Sequence, residues 1–365
     1  HLNLSNNLIE NFHLSNLSNI HSLDLENNFI LKNLTINNNN DRKFNLLNLN
    51  NDFRINLNTI IIGLNQIESI YIRNLKLNSI YNKHINFSAA ELDLSFINLE
   101  AFTLFQNKNT ILNKLIIQNS IINFNFSNNL YGLVEVDLSE CKIKNFDYKI
   151  LFQNSKQLQI IKLRRLNLDS NFLKNYFHTR LFRGLKYVDL SENLLVIIPN
   201  EATLLNSWLS FVNLSHNYLK NINEDNFKFG FTHSYLILNN NHLTNFQYKK
   251  LRQGFINLEK NNLNEFDFEN LYLSEDLKSL DLSSNKIHQL SRVKKLTYNI
   301  IRELKLKSNL IEQIPANFFG FFFKLVYLDL SHNQISNLDS STFKGLFKLT
   351  YLNLSFNNLS IIADD

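Results

Sequence analysis

The sequence predicts an α/β-type solenoid, in which one parallel β-sheet lines a concave face and irregular or short helical segments form the convex side. The first observation is a series of asparagines in the second half of the chain, spaced 24 residues apart except for one interval of 20. The second is the apolar pattern L-x-x-L-x-L-x-x-N-x-L around each of them, and a fixed period in this range is typical of repeat solenoids. The asparagines are Asn193, Asn217, Asn241, Asn261, Asn285, Asn309, Asn333 and Asn357.

The same pattern, followed towards the start of the chain, places about sixteen repeats in a leucine-rich repeat horseshoe. Each repeat should contribute one short strand, with leucines facing the core and the intervening residues facing the concave surface. The predicted strand centres are Leu2, Leu23, Leu47, Ile70, Leu92, Leu115, Val136, Ile161, Val188, Val212, Leu236, Ile256, Leu280, Leu304, Leu328 and Leu352.

The asparagines form a predicted structural ladder, because a buried amide can satisfy backbone groups of its own loop and of the next. The third to eighth repeats carry other residues at this position, so we expect the ladder to be interrupted there. The six positions are Asp52, Leu75, Ile97, Ser120, Cys141 and Leu166. The longest interval between strand centres follows, and its extra residues, within 169–182, should form a loop.

We expect residues 1–365 to form a single array, because each repeat of a solenoid packs only on its neighbours. Repeats should be less regular over 1–166 and regular over 167–365. Neither end carries the polar cap that a solenoid needs, so we interpret the chain as a fragment of a longer protein. A net charge of +5, spread along 365 residues, argues against nucleic acid as the partner.

The segments LVYLDLSHNQISNLDSSTFKGL and LTYLNLSFNNL resemble the 24-residue repeats of Toll-like receptor ectodomains and chaoptin-like adhesion proteins. The resemblance covers nearly the whole chain and implies an extracellular or cell-surface recognition role in adhesion or ligand sensing, without enzymatic activity. It also implies a protein partner, with homophilic binding kept open, and a parent protein that is membrane-anchored. The alternative is an intracellular scaffold or adaptor built from the same repeat.

Catalytic, metal and cofactor motifs are not evident in the sequence, so we predict no catalytic residue, no metal site and no cofactor. His216 and His332 both precede a ladder asparagine, where a polar surface residue is ordinary. Cys141 is the single cysteine and occupies a ladder position, which favours a packing role over a reactive one.

Charged residues alternate in sign between neighbouring repeats on the predicted concave face. Lys162 lies between Asp137 and Asp189 in the strand alignment, and Lys305 lies between Asp281 and Asp329. A self-neutralising ladder explains this pattern better than a docking patch.

Aromatic residues fill one column of the same face in four consecutive repeats, namely Tyr187, Phe211, Tyr235 and Phe255. We predict that this aromatic strip binds the partner, because exposed aromatic rings are enriched at interface hot spots. The competing interpretation is that the rings stack on one another and simply cover the sheet.

Eight N-glycosylation sequons suggest a glycoprotein, but a chain this rich in asparagine reaches a similar number by chance. They therefore do not separate the extracellular from the intracellular interpretation. The sequons begin at Asn3, Asn16, Asn33, Asn86, Asn125, Asn213, Asn353 and Asn358.

Overall fold

The computed structural model shows the predicted fold, a solenoid of parallel strands with little helix. It describes residues 1–365 except 16–19, 29–30, 32, 39–43, 51–54, 58, 65–66, 72–74, 78–83, 88, 97, 100–102, 107–111, 124–129, 145, 178–183, 200–208, 223–233, 247–252, 269–275, 291–299 and 363–365. The chain divides into two compact units. Unit 1 comprises residues 1–166 and 181–185, and unit 2 comprises 167–180 and 186–365.

Unit 1 is built on eight central strands that lie side by side in chain order, each parallel to the next. Every predicted strand centre of this unit pairs with the next centre, from Leu2 with Leu23 to Val136 with Ile161, so the predicted register is confirmed. The strands are Leu2–Asn3, Ser22–Asp24, Phe44–Asn48, Ile67–Tyr71, Ala89–Asp93, Lys114–Ile116, Glu135–Asp137 and Ile160–Lys162.

Unit 2 repeats the arrangement with eight further central strands, again in chain order. The centres pair as predicted from Val188 with Val212 through to Leu328 with Leu352. The strands are Tyr187–Asp189, Phe211–Asn213, Ser234–Ile237, Gln253–Asn257, Ser279–Asp281, Glu303–Lys305, Tyr327–Asp329 and Tyr351–Asn353.

Short outer strands pair behind the central ones, and more of them are described in unit 1 than in unit 2. In unit 1 they are Asn11–Ser15 with Asn33–Asn38 and Thr59–Leu64, Ile55–Leu57 with Leu75–Leu77, His84–Phe87 with Thr103–Gln106, and Asn98–Leu99 with Ile121–Ile122 and Lys142–Ile143. In unit 2 they are Asn221–Ile222 with Asn245–Phe246, and Asn337–Leu338 with Ile361–Ile362.

Three short helices complete the described elements. Helix α1 spans Tyr148–Asn154 in unit 1, helix α2 spans Ser170–Tyr176 in unit 2, and a 3-10 helix spans Phe318–Phe321. Helix α2 corrects the prediction of a loop within 169–182. Asp169 caps the helix by accepting a hydrogen bond from the Phe172 amide at 3.0 Å, and such capping favours helix initiation.

The core of each unit is a stack of inward-facing leucines, isoleucines and valines that are almost fully buried. In unit 2 a cluster of phenylalanines closes the opposite side of this core. Phe318 packs edge-on against Phe268 at 5.2 Å, and Phe319 stacks with Phe343 of the next repeat at 6.0 Å. Burying rings of this size contributes strongly to stability.

Candidate functional site

The asparagine ladder of unit 2 ties each repeat to the preceding one through a buried amide. From Asn217 to Asn357, each Nδ2 donates to a carbonyl of its own repeat and to the equivalent carbonyl of the repeat before, the latter at 2.9–3.0 Å. Each Oδ1 accepts a backbone N–H of the preceding repeat at 3.0–3.1 Å. Asn193 accepts in the same way from the Leu168 amide at 3.0 Å.

The predicted interruption of the ladder in unit 1 is wrong at two of its six positions. The Ser120 hydroxyl donates to the Leu94 carbonyl at 3.2 Å, and the Cys141 thiol donates to the Ile117 carbonyl at 2.7 Å. These are the carbonyls that an asparagine would bind in the preceding repeat. Asp52, Ile97 and the Leu75 side chain lie outside the described residues.

Where Ser120 and Cys141 replace asparagine, the outer strands that follow them pair through their backbones. The strands Ile121–Ile122 and Lys142–Ile143 form a parallel pair just after the ladder positions. Regular strand pairing satisfies backbone groups that, in unit 2, use the asparagine oxygen. Asn28 of the second repeat, which precedes the predicted interruption, makes the ladder bonds: its Nδ2 donates to the Leu4 and Leu25 carbonyls at 2.9 Å, and its Oδ1 accepts from the Ile9 amide at 3.2 Å.

Cys141 lies in an environment that suppresses thiol reactivity. Burial raises the pKa of its thiol to about 12, and the neighbouring acids Asp137 and Glu140 add to the effect. Because the thiolate is the reactive form, the side chain acts as a packing and hydrogen-bonding group.

The position immediately before each ladder asparagine has a left-handed backbone conformation that the sequence did not reveal. In unit 2 all eight residues have φ between 53° and 56°, although none is glycine. In six of the eight repeats an acceptor at its start also holds the turn. Asp329, for example, accepts from the Ser331 amide and hydroxyl at 2.9 and 2.6 Å. Asn and Asp favour turns for this reason.

The charge ladder forms with the predicted partners, but a glutamate is the nearer acid in both cases. Lys162 lies 4.0 Å from Asp137 and 2.8 Å from Glu135, which also pairs with Lys114 at 3.2 Å. In unit 2, Lys305 lies 3.7 Å from Asp281 and 2.9 Å from Glu303. Aligning equivalent strand positions did not pair these glutamates with the lysines, but their side chains are long enough to reach them.

The pKa of Glu135 reflects this cluster. Burial by itself would raise the pKa of the carboxyl, but the hydrogen bonds and charges of Lys162 and Lys114 outweigh it. The net effect holds the pKa of Glu135 below its usual value.

The aromatic strip lies on the face of the unit 2 sheet opposite the leucine core. Its rings form two stacked pairs: Tyr187 with Phe211 at 4.3 Å, and Tyr235 with Phe255 at 4.4 Å. A wider, tilted contact of 6.1 Å and 41° joins Phe211 to Tyr235. All four side chains are partly accessible, and Tyr235 is 43% exposed. The strip therefore shows mainly ring edges and tyrosine hydroxyls to solvent.

A second apolar surface, which the sequence did not reveal, lies beside the ladder turns of unit 2. It comprises Leu194, Val196, Ile197 and Tyr218, which are 40–52% exposed. The Tyr218 amide donates to the Leu195 carbonyl at 2.8 Å, so two adjacent repeats contribute to this lateral patch. A signal was present in the run Leu194–Ile198, where five apolar residues follow one asparagine although the repeat buries only two of them.

Within the described part of the chain, no cluster of histidine, cysteine, aspartate and glutamate could hold a metal ion. The described helices include none that is long and apolar enough to cross a membrane. His216 and His332 are exposed, and His332 stacks on Phe356 at 4.2 Å. The two histidines thus contribute to the surface of the turns, at the position before the ladder.

Comparison with known proteins identifies the repeat. Residues 300–359 match the family described as leucine rich repeat. No curated protein sequence matches the chain.

Solved structures with the same fold come from several organisms. Toll in the Drosophila Toll–Spätzle complex aligns with a TM-score of 0.59 and 18% identity, over 95% of this chain and 49% of that one. YopM from Yersinia enterocolitica gives 0.56 and 18%, over 98% and 76%. A leucine-rich repeat protein of Leptospira interrogans gives 0.56 and 20%, over 74% of each chain. At such identities the similarity establishes the fold alone.

Proposed function

We propose that this leucine-rich repeat chain is a non-enzymatic protein-binding module and that the aromatic strip carries the partner contacts. The observation that supports the proposal most is the strip itself. Four aromatic side chains from four consecutive strands remain partly accessible on the face opposite the core.

Pre-ordering makes the aromatic strip a favourable binding surface. The stacked pairs fix the rings against one another on a rigid parallel sheet, so a partner that covers them restricts little additional side-chain motion. Less ordering cost leaves more of the contact energy as affinity. Two residues further along, three of the four strands carry the uncharged Asn213, Ile237 and Asn257 on the same face. The fourth carries Asp189, whose carboxylate accepts a hydrogen bond from Asn213 Nδ2 at 3.3 Å.

We further propose that the module works outside the cell or at its surface, in adhesion or ligand sensing. The support is the resemblance of the repeats to those of Toll-like receptors and chaoptin-like proteins. Among the structural neighbours, Toll is solved in complex with Spätzle. Antibody staining of intact, non-permeabilised cells that express the parent protein would detect the module, whereas signal only after permeabilisation would favour the intracellular scaffold.

The binding proposal is tested by removing two rings. We expect Phe211→Ser with Tyr235→Ser to weaken affinity for a native partner, identified by proximity labelling, by about 2 kcal/mol, or roughly 30-fold in Kd. The thermal unfolding midpoint should change little, because neither ring belongs to the leucine core.

A matched control uses the lateral patch, where Ile197→Ser with Tyr218→Ser removes two exposed apolar side chains outside the strip. It should leave the affinity unchanged. If the strip variant bound the partner as tightly as the original chain, the strip would only cover the sheet. If only the control lost affinity, the lateral patch would be the binding surface.

A further inference from the structure

Four sequons with the same tripeptide, Asn-Leu-Ser, lie within the described residues but in different environments. They begin at Asn3, Asn213, Asn353 and Asn358. Because the three residues are identical, the sequence of the tripeptide cannot distinguish these sites as acceptors for an N-linked glycan. The environments of the four asparagines in the folded chain do distinguish them.

Three of the four asparagines are held in the same turn. The Oδ1 atom of Asn213 accepts from the Ser215 amide at 3.1 Å and from its hydroxyl at 2.8 Å, and Asn353 makes the same pair of bonds with Ser355. Asn3 does so with Ser5. In each case the asparagine and the hydroxyl of the tripeptide are bound to one another.

The sheet adds a second restraint on Asn213 and Asn353. Asn213 is the last residue of a central strand that pairs with a neighbour on both sides, and its Nδ2 donates to Asp189 Oδ2 at 3.3 Å. Asn353 ends the strand that pairs with Tyr327–Asp329. An enzyme could take either tripeptide into its active site only after the strand left the sheet, which would break the backbone ladder and expose core leucines.

Asn358 differs in both respects. It follows the ladder residue Asn357, lies outside the described strands and is exposed. Among the described residues, its backbone amide donates to the Ile335 carbonyl at 3.0 Å, and no hydrogen bond engages its side chain. Ser360 is exposed as well, and its amide and hydroxyl donate to the Ser336 carbonyl at 3.1 and 3.5 Å rather than to Asn358. Surface segments of this kind are where sequons are accepted.

We propose that Asn358 is an N-glycan acceptor of the folded chain, whereas Asn213 and Asn353 are structural turn residues. In the reaction, Nδ2 of Asn358 forms a bond to the anomeric carbon of a lipid-linked oligosaccharide. The bond from that carbon to the diphosphate oxygen breaks, the polyprenyl diphosphate leaves with the electron pair, and the amide proton passes to a base of the transferase. The inference rests on the extracellular location in the proposed function.

The position of the glycan is compatible with the proposed binding surface. Asn213 lies two residues from Phe211 on the same strand face, so a glycan on Asn213 would stand beside the aromatic strip. Asn358 occupies the column of Tyr218 and Leu310, one residue after each ladder asparagine. A glycan there leaves the strip open.

The test is secretory expression of the chain in eukaryotic cells, followed by glycan removal in heavy-oxygen water and site-resolved peptide mass mapping. Mapping by site is needed because the side chains of four other sequons lie outside the described residues. We expect Asn358 to be modified in most molecules and Asn213 and Asn353 to be modified roughly tenfold less, as expected for sequons outside surface loops. An unmodified Asn358, or occupancy of Asn213 equal to that of Asn358, would overturn the proposal.

A core variant separates the effect of the fold from that of local sequence. Leu190→Asp places a charge in the core next to the strand of Asn213 without changing the tripeptide, so occupancy of Asn213 should rise towards that of Asn358. Occupancy that stays low in this variant would contradict the structural reason given for Asn213. Secretory expression tests the acceptor site whatever the native location, and the strip variants test binding separately, so failure of one proposal is distinguishable from failure of the other.

Discussion

At the scale of single residues, the ladder asparagines combine donor and acceptor roles that no apolar residue can supply. Asn333 Nδ2 donates to the Leu306 and Leu330 carbonyls at 2.9 and 3.0 Å, and its Oδ1 accepts from the Ile311 amide at 3.1 Å. Asn333→Leu keeps the number and branching of the side-chain heavy atoms but leaves these buried groups without their partner, so it should lower the free energy of unfolding by about 1–3 kcal/mol. Equilibrium urea denaturation measures the change.

The matched control is Gln334→Leu at the adjacent exposed position, which should stay within about 0.5 kcal/mol of the original chain. If Asn333→Leu were as neutral as this control, the ladder would not contribute to the stability of unit 2.

Residue-scale features also show where prediction from the sequence ends. The ladder asparagines were visible because one residue type recurs with a fixed period. The left-handed residues before them were not, because residues as different as Glu192, His216, Lys260 and Phe356 share one conformation. In six of the eight repeats an Asp or Asn at the end of the strand holds the turn. Asn240 and Ser308 adopt the same conformation after Ile237 and Lys305, so it belongs to the turn of the repeat and cannot be predicted from one residue type.

At the scale of elements, two glycines from neighbouring repeats meet behind the sheet of unit 2. Gly345 has φ of 99°, and a Cβ atom there would lie 3.0 Å from the Gly320 Cα and carbonyl oxygen. Gly345→Ala should therefore destabilise the protein by about 1–3 kcal/mol, because an L-residue is strained at this φ and the backbone cannot recede easily. Gly320→Ala is the control, since its Cβ would meet only the Lys344 carbonyl, at 3.8 Å.

Thermal unfolding of the two glycine variants gives the comparison. The midpoint should fall for Gly345→Ala and stay nearly constant for Gly320→Ala. Equal midpoints would mean that the two repeats can separate here without cost.

Between adjacent strands of unit 1, the pairing of Glu135 with Lys162 and Lys114 predicts a pH-dependent contribution to stability. The folded pKa of Glu135 lies below its usual value, so the contribution is fully present above the unfolded pKa, near 4.5, and is lost as the pH falls through the folded pKa. We expect Glu135→Gln to cost about 0.5–1 kcal/mol at pH 7, because both lysines are partly exposed and water screens the pairs.

Urea denaturation at a series of pH values tests this expectation. The difference between Glu135→Gln and the original chain should shrink below pH 4.5, whereas the exposed control Glu312→Gln should differ little from the original chain at any pH. A difference that stayed constant down to low pH would assign the effect to packing rather than to charge.

At the scale of the whole molecule, the repeat period predicted the strand centres and their register, because inward leucines and the asparagine position fix both. It did not predict helix α2, because Asp169 acts through a local cap outside the repeat pattern. The repeat pattern also predicted interruptions at Ser120 and Cys141, because only asparagine counted as a ladder residue. A hydroxyl or a thiol can donate the same hydrogen bond. The lateral patch was not predicted, because all residues from Leu194 to Ile198 are apolar. A continuous apolar run does not show which of its side chains face solvent.

A solenoid in which each repeat packs on its neighbours should confine damage to the repeats around it. Leu330 is fully buried, so Leu330→Asp introduces an unpaired charge into the core and should destabilise more than Asn333→Leu. Hydrogen exchange followed by mass spectrometry should show faster exchange in the adjacent strands Glu303–Lys305 and Tyr351–Asn353. The strand Tyr187–Asp189, several repeats away, should keep its protection, because its contacts are made with its own neighbours.

Gln334→Leu serves as the reference variant, in which hydrogen exchange should be unchanged in every strand. If the exchange rate rose as much at Tyr187–Asp189 as at Glu303–Lys305, unit 2 would unfold as one cooperative body. A substitution far from the aromatic strip could then abolish binding by unfolding the strip itself.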